Sequence, residues 1–370
     1  MNKTDTILIC PLNWGLGHVS RDIPIIRRLI TQKFRVIVAG DQTIIDYISY
    51  EIPDIETELL PDVNISYSKG NSQIIKLLYQ FPKSIYSFYR EKKLTAQLVI
   101  KYNPILIISD NRYGVRHPNV KSVIITHQLM LKMPKYLKWL EKITNRLIKK
   151  LVSKFDVCWI PDNPLPYSLA GDLVHKYSLP KNAILIGPIS RFMDDFTLNN
   201  SQKDNFHSNN KYDLLAIISG PEPQRTILQQ KLSQKLSTQN IKCLIVAGTI
   251  TENSEIKQSK NIAILPHLDS YILANYIINT PIVVSRAGYS TIMDLWYLKR
   301  RAILIPTPGQ TEQEYLAKNS LKQNHFFLKQ SEILDFDFTQ HTVKETDNKF
   351  QFDEKLLDKN LANILITLQH

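Results

Sequence analysis

The sequence predicts two doubly wound α/β domains facing each other across a cleft. Three observations carry this. Short β-branched runs alternate with longer amphipathic stretches along the chain, and a polar, aperiodic segment interrupts the alternation near its middle. Two glycine-containing turns, Asn13 to His18 and Ser285 to Ser290, each follow an apolar run and open a helix-like stretch. Strands alternating with helices build a parallel sheet covered on both faces, and 370 residues exceed one ordinary core.

In the first half the strand runs are Thr6 to Leu12, Arg35 to Ala39, Ile105 to Ser109, Ser122 to Thr126, Val157 to Ile160 and Ala183 to Ile186. Amphipathic stretches lie between them at Val19 to Gln32, Ser72 to Lys101 and Pro134 to Ser153. These place a first domain at 1–190. A linker is expected over 191–211, where Phe196 to Lys211 is polar and without period. Alternation resumes in a second domain, 212–350, with strands at Leu214 to Ser219, Cys243 to Ala247, Ile262 to Leu265, Ile282 to Ser285 and Ala302 to Ile305. Its helices are expected at Gln224 to Thr238, Leu268 to Asn275, Ser290 to Leu298 and Thr311 to Gln323. A last segment, 351–370, contains the amphipathic run Glu354 to Leu368, which packs back on one domain or the other.

Composition narrows the function classes. Hydrophobic residues make up 43% and charged residues 22%, as in ordinary soluble domains. The net charge of +12 favours an anionic partner: a nucleotide, a nucleic acid or an acidic membrane surface. Cys10, Cys158 and Cys243 sit inside apolar runs without metal-ligand or disulfide spacing, and are expected reduced and buried. No run reaches the ~20 apolar residues of a spanning helix, and the first run is too short for a signal-peptide core. A cytoplasmic protein is expected, free or peripheral on the inner face of the membrane.

Open parallel sheets bind ligands beyond the carboxyl ends of their strands, where helix N-termini point at the ligand. In the first turn, Gly15 and Gly17 remove side chains so that a ligand can approach the backbone. His18 then stands at the helix start as a candidate general base, and Asp110, just past a buried strand, is the carboxylate best placed to orient it. The plainer reading is a turn with His18 as a cap. In the second turn, Gly288, Ser290 and Thr291 offer free N–H groups to a phosphate, and Asp294 has two oxygens for the hydroxyls of a ribose. Alternatively Ser290 and Thr291 merely cap the helix. Downstream, a strand stops at Pro306 and Pro308, and Gln313 and Glu314 are placed to bond sugar hydroxyls or to face solvent.

The run Ser285-Arg286-Ala287-Gly288 through Asp294, followed by Pro306 and Gln313-Glu314, resembles the donor-binding half of GT-B glycosyltransferases, and most closely glycosyltransferase family 28. Asn13 to His18 resembles that family's N-terminal glycine-rich turn ending in histidine. The stretches Pro11 to His18, Ser109 to Gly114 and Ser219 to Arg225 look more specifically like a bacterial branch of GT-B proteins. The resemblance implies a GT-B fold of two Rossmann-like domains, acceptor-binding and then nucleotide-sugar-binding. It also implies an inverting, metal-independent sugar transfer from a nucleoside diphosphate donor, UDP-linked, with no cofactor. It assigns Asp294 to the ribose, Gly288 to the diphosphate, Gln313 and Glu314 to the transferred sugar, and Ser219 and Gly220 to the interdomain phosphate loop. Arg286 or Arg225 would then assist the leaving charge. Three departures stand out: Pro221 and Pro223 remove donors from the phosphate loop, Ala317 replaces an asparagine that reaches the sugar, and Asp294 is one methylene shorter than the usual glutamate.

The acceptor is unidentified; a lipid-linked molecule or a cell-envelope glycan is expected. Between Lys132 and Lys154, Leu140, Ile143, Leu147 and Leu151 recur at helical spacing among lysines. The ordinary reading sends that stripe into the core; the other lays it on anionic lipid. Tyr79, Phe81, Tyr86, Phe88 and Tyr89, interleaved with Lys83 and Arg90, form a second candidate contact. Two rival functions are a nucleotide-sugar 2-epimerase of the same fold and a non-enzymatic nucleic-acid binder motivated by charge alone.

Overall fold

The computed structural model describes residues 5–13, 15–61, 81–193, 212–249, 257–340 and 355–368. The first sheet holds β1 (Thr6–Pro11), β2 (Arg35–Gly40), β3 (Glu56–Leu59), β4 (Leu106–Asp110), β5 (Lys121–Ile125), β6 (Val157–Ile160) and β7 (Ala183–Leu185), in the order β3-β2-β1-β4-β5-β6-β7. Every pairing in it is parallel. β1, β4, β5 and β6 are apolar almost throughout because both of their faces are covered.

The second sheet repeats the plan with β8 (Leu214–Ile217), β9 (Cys243–Val246), β10 (Lys257–Ser259), β11 (Ile262–Leu265), β12 (Ile282–Ser285), β13 (Ile303–Leu304) and β14 (Phe326–Phe327). Their order is β10-β11-β9-β8-β12-β13-β14, parallel except for the antiparallel edge strand β10. Both sheets therefore reverse direction beside their first strand, β1 against β4 and β8 against β12. Side chains and turns diverge at such a switch point, which opens a crevice.

The helices are α1 (Gly17–Thr31), α2 (Gln42–Glu51), α3 (Phe81–Tyr102), α4 (Leu140–Val152), α5 (Asp172–His175), α6 (Gln224–Leu236), α7 (Ser270–Asn279), α8 (Tyr289–Tyr297), α9 (Thr311–Asn319) and α10 (Lys355–Ile366). The alternation read from the sequence finds most of the long elements to within a few residues; the helix expected from Ser72 is described only from Phe81, and the one expected from Pro134 begins at Leu140. That reading misses the short α5, β10 and β14, and also α2 and β3, because Asp41 to Leu59 carries apolar and polar residues without a clean period. Asp41 caps α2 by accepting from the Ile44 N–H at 3.2 Å. Tyr79 and the residues from 194 to 211 lie outside the described residues. Of the expected linker, Arg191 to Met193 is described, with Phe192 and Met193 buried.

Packing joins the halves. One core cluster runs from Ile124, Ile160 and Leu173 of the first domain to Val283, Ile292 and Leu316 of the second. α10 returns to the first domain, where Leu357, Leu361 and Ile364 share a core with Ile7, Val19 and Ile25. Arg28 and Asp358 pair above that contact. The three cysteines are buried and unpaired.

α4 reverses the ordinary reading of its apolar stripe. Its inner face is Glu141, Asn145, Ile148 and Val152. Glu141 is satisfied there by Lys176 and by the Met133 N–H at 3.1 Å, and the Asn145 amide donates to the Leu129 carbonyl at 2.8 Å. With polar groups satisfied inside, Trp139, Ile143 and Leu147 are left 64%, 48% and 48% exposed.

Candidate active site

A cavity of about 550 Å³ opens where the two switch points meet. Its first-domain wall is the turn after β1 with the start of α1, plus the end of β5. Its second-domain wall is built from the turns after β8, β9, β12 and β13.

The two glycine turns touch. Gly15 has φ +100° and Gly220 has φ +103°, a region that favours glycine. A side chain on Gly15 would reach to 3.8 Å from the Gly220 backbone, and one on Gly17 to 3.0 Å from the Ser290 hydroxyl. Ser290 donates to the Gly17 carbonyl at 2.6 Å across the cleft. It therefore does not cap α8, whose N-terminus has no side-chain cap. The N-termini of α1 and α8 converge on the same space, and their free N–H groups and dipoles make it anion-attracting.

His18 lines this cavity, with Nδ1 3.0 Å from Asp110 Oδ1. The ring thus turns Nδ1 inward, toward this carboxylate and the Arg21 guanidinium 2.9 Å away, rather than capping the helix. Asp110 is fully buried and is also gripped by Arg21, which donates from Nε to Oδ2 at 2.7 Å and from its terminal nitrogen to Oδ1. Burial pushes that carboxyl up, but Arg21 and His18 outweigh it and hold it well below the usual carboxylate range. Asp22, next along α1, is buried with neither oxygen bonded. Burial, with Asp110 nearby, raises its carboxyl well above the ordinary range, against the lowering influence of Arg21.

Other members of the site were not read from the sequence. His127 follows β5, is 4% exposed, and takes a contact from Arg21 at 3.2 Å. Its Nε2 lies 3.0 Å from Glu312 Oε1, and its ring stacks on Tyr289 at 4.0 Å and 11°. Gln128 donates to the other oxygen of Glu312. Burial lowers the His127 pKa, against the raising influence of Glu312. The carboxyl-end rule applied to β5 would have found His127; Arg21 is one turn beyond His18.

The donor-side residues fare unequally. Ser219, Gly220, Arg225, Gly288, Ser290, Thr291, Asp294 and Gln313 all line the cavity. Arg225 is tied to Glu222 and to the Ala247 and Gly248 carbonyls. Asp294 is 5% exposed; it accepts from Ser190 Oγ at 2.7 Å and from Arg191 Nε at 3.1 Å. Burial raises its carboxyl, with Arg191 opposing. Arg191 also donates to the Tyr47 hydroxyl at 3.2 Å, so it ties α2 to α8. Gln313 spends its carbonyl on the Thr307 N–H at 2.8 Å.

Two expectations are corrected. Arg286 does not line the cavity: it is fully buried and donates to the Ile305 and Pro306 carbonyls, to Gln330 and to the Gln224 carbonyl. Burial brings its pKa down to about 9. It stitches the β12, β13 and α6 ends together. Glu314 turns away and accepts from the Gly309 N–H at 3.0 Å, while Glu312 faces the cavity in its place. Residues 312 and 314 lie two apart on α9, so they cannot share a face.

Residues 221–355 match the glycosyltransferase family 28 C-terminal domain. An uncharacterized glycosyltransferase of Methanosarcina acetivorans is 23% identical over 334 residues, covering 83% of this chain and 80% of its own. Another, of Methanosarcina mazei, is 21% identical over 324 residues, again covering 83% and 80%. Among solved structures, the glycosyltransferase of kitacinnamycin aligns with a TM-score of 0.58 at 12% identity over 99% of this chain and 95% of its own. A UDP-GlcNAc 2-epimerase from Neisseria meningitidis, bound to UDP-GlcNAc, aligns with a TM-score of 0.59 at 12% identity over 98% and 100%.

Proposed function

We propose that this family 28-like glycosyltransferase of GT-B fold moves a sugar from a UDP-linked donor to an acceptor hydroxyl, with inversion and without metal. The carrying observation is the His18–Asp110 pair at 3.0 Å, set in one cavity with the α8 N-terminus. With its Nδ1 proton on Asp110, His18 presents the lone pair of Nε2 to the acceptor hydroxyl. That oxygen forms the new bond to the anomeric carbon as its proton passes to Nε2. The bond from the anomeric carbon to the diphosphate breaks, and its electron pair leaves with the phosphate oxygen. The α8 N-terminus at Gly288, the Ser219–Gly220 turn and Arg225 stabilise that charge. A carboxylate offers about four lone-pair sites, so Asp294 keeps room for ribose hydroxyls beside Ser190 and Arg191. Gln313 meets the sugar through its amide.

Thermal unfolding with UDP and a panel of UDP-sugars tests the donor. At a concentration of about 100 times Kd a ligand of the folded state adds about 2.7 kcal/mol of stability. Asp294→Ala should abolish the UDP shift; an unchanged shift removes the donor site from this place. The epimerase alternative shares the fold and is separated by incubating a UDP-sugar without acceptor, where only an epimerase yields a new UDP-sugar.

The acceptor reaches the cleft from an anionic membrane surface. Supporting this, Trp139, Ile143 and Leu147 form an exposed arc on α4. Between Lys132 and Lys154 eight cationic residues stand against one acid, Glu141, which is buried. Apolar side chains beside lysines suit the interface of an acidic bilayer. Flotation with anionic vesicles, but not with neutral ones, is expected to carry the protein. Trp139→Ser with Ile143→Ser should release it, and failure to float on either removes the membrane from the reading.

A further inference from the structure

Among the described residues three histidines line the cavity, His18, His127 and His267, and one guanidinium touches the first two. Arg21 is 2% exposed and lies 2.9 Å from His18 Nδ1, 3.2 Å from His127 Nδ1 and in two-bond contact with Asp110. An arginine only donates, and no carboxylate shares the nitrogen of His127 that faces it, so that nitrogen is unprotonated; His18 Nδ1 faces Arg21 too, but there Asp110 Oδ1 at 3.0 Å accepts its proton. The proton of His127 is therefore on Nε2, where Glu312 accepts it at 3.0 Å. Both oxygens of Glu312 are engaged by first-domain residues, His127 and Gln128. Glu312 itself belongs to the second domain, as does Tyr289, on which His127 stacks.

We propose that Glu312 is a positioning residue for the His18–Asp110 pair, acting across the cleft through His127 and Arg21, so that the base is set only where the two domains meet. This rests on the reading of His18 as the base. Arg21 has to divide its donors between Asp110 and the two imidazoles. With His127 held by Glu312 and Tyr289, one arm of Arg21 is committed to it, and the other keeps Asp110 aligned to accept the Nδ1 proton of His18. Once Glu312 lets go, His127 is free to turn, and that arm of Arg21 is released onto the His18–Asp110 contact. The groups facing His18 and His127 are Arg21 on α1, Asp110 at the end of β4, Tyr289 on α8 and Glu312 on α9, with Asp22 beside Arg21 and Asp110.

Histidine-labelled full-length protein, without ligand, gives a direct test, because nitrogen NMR reports the tautomer and titration of each ring. His18→Gln and His127→Gln identify the two signals. In the native protein His18 should carry its proton on Nδ1 and His127 on Nε2. Glu312→Gln should redistribute the His18 tautomer, because His127 then no longer holds one arm of Arg21 away from the His18–Asp110 contact. His127→Phe keeps the ring on Tyr289 and the charge of Glu312 but deletes both bonds, and it should redistribute the His18 tautomer as well. Thr311→Val removes a different cross-cleft hydrogen bond, to the Lys132 carbonyl at 2.7 Å, and should leave His18 unmoved. The proposal is overturned if His18 responds to Glu312→Gln but not to His127→Phe, which would be a through-space charge effect, or if it responds to neither. None of these outcomes depends on sugar transfer, so a failure here is distinct from a failure of the glycosyltransferase reading.

Discussion

Asp110, behind His18, and Asp294, on the facing wall of the cavity, are two buried aspartates, each paired with an arginine, yet their carboxyls move in opposite directions. Burial raises both. At Asp110 the two-bond grip of the Arg21 guanidinium and the imidazole of His18 reverse it; at Asp294 a single guanidinium bond from Arg191, with neutral bonds from the Arg191 N–H and from Ser190, does not. The lesson is that the number of charge-assisted bonds, not the presence of a partner, decides which state a buried carboxyl prefers. It also divides the labour of the cleft. The first-domain wall is a closed network of paired charges, suited to moving a proton. The second-domain wall is mostly helix terminus and backbone, suited to holding an anion.

The comparison breaks most plainly at the base. His18→Ala should lower the rate of UDP release from the productive UDP-sugar by about 10²–10⁴-fold, with UDP binding by calorimetry changed little. Equal loss of both would move His18 to the donor side.

Asp110→Asn comes next, since it leaves Arg21 and His18 facing each other unpaired. By urea unfolding at neutral pH it should cost about 3–5 kcal/mol, as for a broken buried ion pair. Asp110 has a depressed folded pKa, so its contribution is complete above the unfolded value of about 3.9 and is lost as pH falls below it. The gap between native protein and variant should thus be flat from neutral pH to about 5 and narrow below about 4.

Asp294→Asn should cost far less, about 1 kcal/mol or below, because burial already disfavours that charge. Its folded pKa is raised, so the native protein gains on the variant as pH falls through that value toward the unfolded one, the opposite slope to Asp110. Parallel slopes for the two variants would dissolve the contrast.

Ser290→Ala is the smallest change. It deletes the cross-cleft bond to Gly17 and should cost about 0.5–1.5 kcal/mol by urea unfolding.

Much of this architecture is legible in the chain. The alternation and the two turns name both domains, and the pairing of His18 with Asp110 follows from two strand ends at one switch point. Beside it, Arg21 is missed because a buried arginine inside an amphipathic helix reads as a polar residue on its wet face. Arg286 is misread for the reverse reason: next to a glycine turn a cation reads as a phosphate ligand, but four carbonyl acceptors hold it inside.

Local patterning, then, determines what each segment is by itself: period 2 or 3.6, the residue that ends a helix, the glycine that permits a turn. These depend on neighbours in sequence. Rotation of an element about its own axis does not. α9 shows Glu312 rather than Glu314 to the cavity, and α4 keeps Glu141 and Asn145 inside while exposing Trp139, because partners such as His127, Lys176 and the Leu129 carbonyl wait there. Those partners come from segments far along the chain, so only the packed tertiary structure decides which face meets them.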